Sequence, residues 1–216
     1  MSMKNIVYII GAGGHAGEVR GYLALEVGAE AIFVVDDKYL QSAIARDVNT
    51  ISTSDFITSS NNKSAILGVG APGLKKAFLE KLGSTTFIKL VSRDAYVSKQ
   101  ASIGEGTLIA PMVVVSNNTH IGKHVVVNIG TTISHDCTVG DYTTISPGTH
   151  IAGNVHIGEG VFVGVGATIK NGIKIAPGCV IGAGAVVLND VTENNAVIFG
   201  NPAVLSRVND GWLSEI

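Results

Sequence analysis

The chain has 216 residues, 46% hydrophobic and 15% charged, with a formal net charge of −2. That balance excludes a disordered chain, which lacks the apolar residues to build a core. It also excludes a basic nucleic-acid footprint, since no block of like charge occurs.

The apolar run at the start, Ile6 to Ile10, stops at glycine. It is too short for a signal h-region or a membrane span, and no later segment reaches the length of one. The expected setting is the cytoplasm, with no membrane and no nucleic acid as partner. "NIVYII" reads as a buried strand and "HAGEVRGYLALEV" as an amphipathic helix. "AIFVV" is a second strand and "SAILGVG" a third; "GLKKAFLEKL" is a second helix and "FIKLV" a fourth strand. Strands alternating with helices imply βαβ units and a parallel sheet. The expectation is a small Rossmann-like α/β domain over residues 1–95, half of a doubly wound fold.

From Val97 the rhythm changes. Every sixth residue from Val97 to Val187 is Ile or Val, without an insertion. The residue two before each is uncharged and in most cases small: Thr107, Thr119, Thr131, Cys137, Thr143 and Ala167 are examples. One aliphatic and one small inward position per six residues is the signature of a hexapeptide parallel β-helix. Each hexapeptide makes a strand and a turn, and three make a triangular coil. Residues 96–216 are expected to form this second domain, with the stretch after Val187 as its cap. Gly104, Gly122, Gly140, Gly158 and Gly182 follow the aliphatic residue, where glycine is expected to lower the conformational cost of the turn. Cys137 and Cys179 are too few for a disulfide framework and have no metal-ligand spacing; small buried side chains are the expectation for both.

His135 and Asp136 sit at a corner of this pattern. A neutral histidine is a suitable base for a nucleophile that loses its proton as it attacks. A neighbouring carboxylate can fix its tautomer and favour the imidazolium that forms. His120, His150 and His156 precede inward aliphatics and belong on outer faces; His124 lies in a turn and is expected at the surface. No three histidines fall at matching corners, so no metal site is expected. Val126, Ala152, Phe162 and Val186 are apolar or small yet point outward, which suits burial against a neighbouring subunit.

"GAGGHAGEV" follows a strand and opens a helix. As Gly11-x-Gly13-x-x-Ala16, with Asp36 further on, it meets the dinucleotide fingerprint, but the second mononucleotide half is missing. A helix N-terminus with free N–H groups still suits a smaller anionic ligand.

Taken together, "GAGGHA", a strand ending in "DD", the hexapeptide beat and a closing "GNPA" resemble the bacterial sugar acyltransferases. These include sialic-acid O-acetyltransferases and N-acetyltransferases acting on nucleotide-linked 4-amino sugars. The resemblance implies a left-handed β-helix, packed as a homotrimer with coenzyme in the groove between subunits. It implies His135 as general base and Asp136 as the acid that raises its basicity. Gly153 would place a backbone N–H on the thioester carbonyl, and the main chain at Val165 and Ala183 would contact acetyl-CoA. Gly13, Gly14, His15, Asp36, Asp37 and Gly70 would hold the nucleotide-linked sugar. Thr144 stands where one relative has a coenzyme-contacting histidine. The activity implied is acetyl-CoA-dependent N-acetylation of the 4-amino group of a nucleotide-linked amino-dideoxy sugar, without a metal. O-acetylation of a sialic-acid-like sugar and a non-catalytic trimeric binding module are the alternatives.

Overall fold

The computed structural model describes residues 5–45, 49–59, 63–83 and 85–215. The N-terminal unit runs β1 (Ile6–Ile10), α1 (Gly14–Glu26), β2 (Glu30–Val35), α2 (Leu40–Ile44), β3 (Thr50–Ser52), α3 (Thr53–Thr58), β4 (Ser64–Leu67), α4 (Pro72–Leu82) and β5 (Thr86–Phe87). The five strands form one parallel sheet in the order β3-β2-β1-β4-β5. The order of strand addition across the sheet reverses between β1 and β4, so their carboxyl ends open a crevice of the kind that binds ligands in α/β sheets. Gly68 seats α1 against this sheet, because a Cβ there would lie 2.5 Å from Ile9 Cγ2 and 2.8 Å from Ala16 Cβ.

The rest of the chain winds as a parallel β-helix of triangular section. Its first face stacks six two-residue strands from Tyr96–Val97 to Val186–Val187. Its second face stacks five, from Ser102–Ile103 to Lys174–Ile175. Its third face begins at Leu90–Val91, continues to Val180–Ile181 and Ala196–Phe199, and ends with Val204–Val208 antiparallel to its neighbour. "FIKLV" is therefore two strands: Phe87 closes the α/β sheet and Leu90–Val91 opens the first coil. The inward aliphatics and the small residues two before them form one continuous core, with Thr107, Thr131, Thr143 and Cys137 fully buried. Burying each Ile or Val contributes about 1.5–3 kcal/mol. The inward threonines keep their hydroxyls satisfied by donating to a carbonyl, as Thr143 does to Gly158 at 3.0 Å.

The corners correct one expectation. Gly104, Gly122, Gly140, Gly158 and Gly182 do not occupy the left-handed region. They are glycines because successive coils touch there: a Cβ on Gly140 would lie 2.5 Å from the backbone of Gly158 and Glu159. The left-handed residue is two further on. From Gly106 to Gly184 every sixth residue has a positive φ, between 54° and 76°. Most are Gly or Asn; Asp136 is one of this series, at φ 59°.

The N-terminal unit sits on the third face. Leu90, Leu108 and Val126 point outward from the helix and pack with Ala16, Val19 and Leu23 of α1. Val126 is thus buried by its own chain, not by a neighbouring subunit. Phe162 lies on the same face, half-buried, whereas Ala152 and Val186 stay partly exposed elsewhere. His124 also differs from expectation. It is buried at 6% exposure, between Phe87 and Tyr142, whose ring stacks on it at 5.7 Å.

Candidate active site

The corner between the first and second faces carries the histidine–acid pair. Strand Thr132–Ile133 ends, the chain turns through Ser134, His135 and Asp136, and strand Thr138–Val139 follows. His135 Nδ1 lies 2.7 Å from Asp136 Oδ2, with both side chains at least half exposed. Asn118, at the same corner one coil earlier, donates from Nδ2 to the other carboxylate oxygen at 3.1 Å. These two contacts, His135 first, hold the Asp136 carboxyl below its usual range. With Asp136 ionised, Nδ1 carries the proton and donates, which leaves the Nε2 lone pair free.

Gly153 occupies that corner one coil later. A Cβ there would lie 2.7 Å from His135 Cε1 and 2.8 Å from Nε2. The imidazole lies over Gly153, so any side chain there would push the ring out of this position. Among the described residues the Gly153 N–H has no acceptor, while its carbonyl accepts from Gly172. Asn118 escaped the sequence reading, although the coil length of three hexapeptides places it beside Asp136 and could have found it.

Val165 and Ala183 lie at another corner, between the third and first faces, on successive coils. Both are exposed, Val165 at 55%. One face of the helix separates them from His135 within the chain. Thr144 lies at neither corner. It is buried on the third face, where its hydroxyl donates to the Gly70 carbonyl at 2.6 Å and accepts from Lys75 Nζ at 2.7 Å. His156 is half-buried on the second face, its Nδ1 2.9 Å from Thr138 Oγ1.

At the carboxyl ends of β1 and β4 a cleft of about 560 Å³ opens, lined in part by Gly13, Asp36, Tyr39, Phe78 and Lys81. The open end of α1 is there: Gly13 is its N-cap, with no side-chain cap. A Cβ on Gly13 or Gly14 would meet nothing within 4 Å, so internal packing does not demand these glycines. Lys81 Nζ pairs with Asp36 at 3.8 Å. Asp37 points elsewhere and accepts from the Ser54 N–H at 3.4 Å. Gly14, His15 and Gly70 lie outside the cleft lining. His15 bonds Glu18 through Nδ1, its Nε2 is buried without a partner among the described residues, and burial lowers its pKa.

Between cleft and β-helix sits Lys75, fully buried, its ammonium donating to the His124 and Thr143 carbonyls and to Thr144 Oγ1. Burial pushes its pKa well below the usual lysine range, while the three oxygens supply an acceptor for each ammonium proton. Among the described residues no three His, Cys, Asp or Glu side chains converge as a metal site, and no helix is long and apolar enough to cross a membrane.

Residues 6–82 match the PglD N-terminal domain, and residues 118–153 and 154–189 match the bacterial transferase hexapeptide repeats. A stretch of 112 residues is 30% identical to UDP-N-acetylbacillosamine N-acetyltransferase of Bacillus subtilis (strain 168), covering 50% of this chain and 51% of that protein. The match thus spans about half the length of this curated relative. The acetyltransferase domain of PglB from Neisseria gonorrhoeae, solved with acetyl coenzyme A, superimposes with a TM-score of 0.83 at 30% identity, over 94% of this chain and 100% of that one. PerB from Caulobacter crescentus, solved with CoA and GDP-perosamine, gives 0.78 at 25% identity, over 95% and 99%. The fold, its repeats and these likenesses lead to one assignment: the chain belongs to the left-handed β-helix acyltransferases that carry a PglD-type N-terminal domain.

Proposed function

We propose that the protein is an acetyl-CoA-dependent N-acetyltransferase acting on the 4-amino group of a nucleotide-linked amino-dideoxy sugar, in the synthesis of a surface glycan precursor. The observation that carries this reading is the His135–Asp136 pair at an exposed corner, with its ring over Gly153. The substrates named for PglB, PerB and the Bacillus enzyme support the class of donor and acceptor. The sugar amine attacks the thioester carbonyl. Its proton passes to His135 Nε2, Asp136 favours the imidazolium that forms, and the Gly153 N–H faces the developing oxyanion. As the C–S bond breaks, the imidazolium returns the proton to the coenzyme thiolate. The nucleotide part binds the N-terminal cleft through Gly13 and Asp36, and the sugar part meets Gly14, His15 and Gly70, the last of which accepts from Thr144 of the β-helix. In this reading the division near residue 95 separates nucleotide binding from chemistry, and both substrates belong to the cytoplasm.

The active unit is a homotrimer with each site between two subunits. Val165 and Ala183 cannot meet His135 on their own chain, since they occupy a different corner, but the corner of a neighbour can supply them. Apolar side chains favour that contact: Met112, Ile129 and Val165 are exposed at the corner of Val165, and Val114 on the adjoining face. A panel of nucleotide-linked amino sugars with acetyl-CoA, read by mass spectrometry, tests the proposal. N-acetylated product with free coenzyme thiol is expected. Product only from hydroxyl-bearing, sialic-acid-like sugars would make it an O-acetyltransferase. Ligand binding without thiol release would make it a binding module.

A further inference from the structure

The cleft has a wall that no part of the N-terminal unit supplies. After Val204–Val208 the chain crosses back to α4, and Ser214 and Glu215 line the cleft with Gly13, Asp36 and Lys81. This strap is seated at three points. The Trp212 ring covers two corner glycines, for a Cβ on Gly160 would lie 2.3 Å from Trp212 Cδ2 and one on Gly178 2.6 Å from Cδ1. Lys76 sits over the same ring at 4.8 Å, and Tyr142 packs against it at 5.9 Å. The Gly73 N–H donates to the Leu213 carbonyl at 2.8 Å, and a Cβ on Gly73 would lie 2.5 Å from Ser214 Oγ. Gly73 is in a helix with ordinary φ, where a side chain would normally be favourable. Its absence makes room for the strap.

We infer that the C-terminal strap, Trp212 to Glu215, is part of the nucleotide-sugar site, and that the Glu215 carboxylate accepts hydrogen bonds from the nucleoside. This rests on the cleft being that site. The open end of α1 supplies the positive side suited to a diphosphate, whereas Lys81 is paired with Asp36. A carboxylate next to phosphates would repel them, whereas one beside ribose hydroxyls or base N–H groups accepts from them. Asp36 and Glu215 thus belong with the nucleoside, in a cleft that Tyr39 and Phe78 also line.

The test is calorimetric titration of the full chain with UDP, dTDP and GDP, and with acetyl-CoA as control. Gly73→Val should unseat the strap without weakening α4, since valine is no poorer a helix former than glycine. It should weaken the preferred nucleoside diphosphate roughly ten-fold or more, and Glu215→Ala by roughly ten-fold, the scale of one hydrogen bond to a charged group. Acetyl-CoA affinity should not change. Wild-type affinity in Gly73→Val overturns the wall. Wild-type or tighter binding in Glu215→Ala overturns the carboxylate's part. Glu215 is exposed, so its variant carries the test if Gly73→Val does not fold, which a melting curve reports. Failure of the unaltered protein to bind any of the three is a different result: it removes the cleft as the nucleotide site.

Discussion

The β-helix and the N-terminal unit assemble their candidate sites by opposite means. In the β-helix, residues one coil apart stack at the same corner. Asn118, Asp136 and His135, and Gly153 beneath the ring, come together through one repeat length alone. In the N-terminal unit no spacing does this. The cleft gathers Gly13 after β1, Asp36 after β2, Lys81 from α4 and Ser214 from the far end of the chain. A periodic scaffold therefore converts sequence distance into contact, whereas a layered sheet converts it only through topology.

The two regions should respond differently to substitution. The largest effect belongs to the corner. His135→Ala should lower turnover by about two to four orders of magnitude, the scale of a general base, and leave acetyl-CoA affinity nearly unchanged; near-normal turnover would remove His135 from the chemistry. Asp136→Asn should cost less in the same assay, because the acid orients the base without moving the substrate proton; a larger loss than His135→Ala would reverse these roles. Gly153→Ala should cost roughly ten- to a hundred-fold, because the added Cβ displaces the ring and small misplacements are expensive. Its melting temperature should hold, since Gly153 is not in the left-handed region.

The cleft should respond through substrate binding instead. Asp36→Ala should raise the Michaelis constant for nucleotide-sugar by roughly ten-fold and leave that for acetyl-CoA alone. Asp37→Ala should do little to either, since that carboxylate faces Ser54. Equal effects of Asp36→Ala on both substrates would contradict two separate sub-sites. The smallest effect lies at the junction. Burial depresses the Lys75 pKa, so the folded state binds fewer protons than the unfolded chain between that lowered value and the ordinary lysine pKa of about 10.4. Stability contributed through this group rises with pH across that window. Melting temperatures followed upward from neutral pH should show the rise, and Lys75→Met should flatten it. An unchanged slope would mean that the three oxygens hold Lys75 charged at its normal pKa.

The sequence made the β-helix legible almost residue by residue, because its inward aliphatics and small residues repeat without interruption. It hid the first strand, Leu90–Val91, because Lys89 at the open end stands where the pattern has a small inward residue. In the N-terminal unit the long elements were legible, but β3, α2 and α3 are too short to carry a period. The burial of Val126 and Thr144 was not legible, since each sits at an outward position that the docked N-terminal unit covers, nor was that of His124, enclosed between Phe87 of that unit and Tyr142 one coil on. The strap had no local signal at all; Trp212 and Gly160 are joined only by the fold.

In the proposed trimer, one active site takes its base from one subunit and its coenzyme groove from the next. Mixing two inactive variants tests it most directly: His135→Ala, and Val165→Glu at the exposed corner, dissociated and reassembled together. Activity should return, because some interfaces then combine an intact His135 with an intact Val165 from the partner. No activity from verified mixed trimers, or an active species scattering at the 22.3 kDa of a single chain, would contradict a shared site.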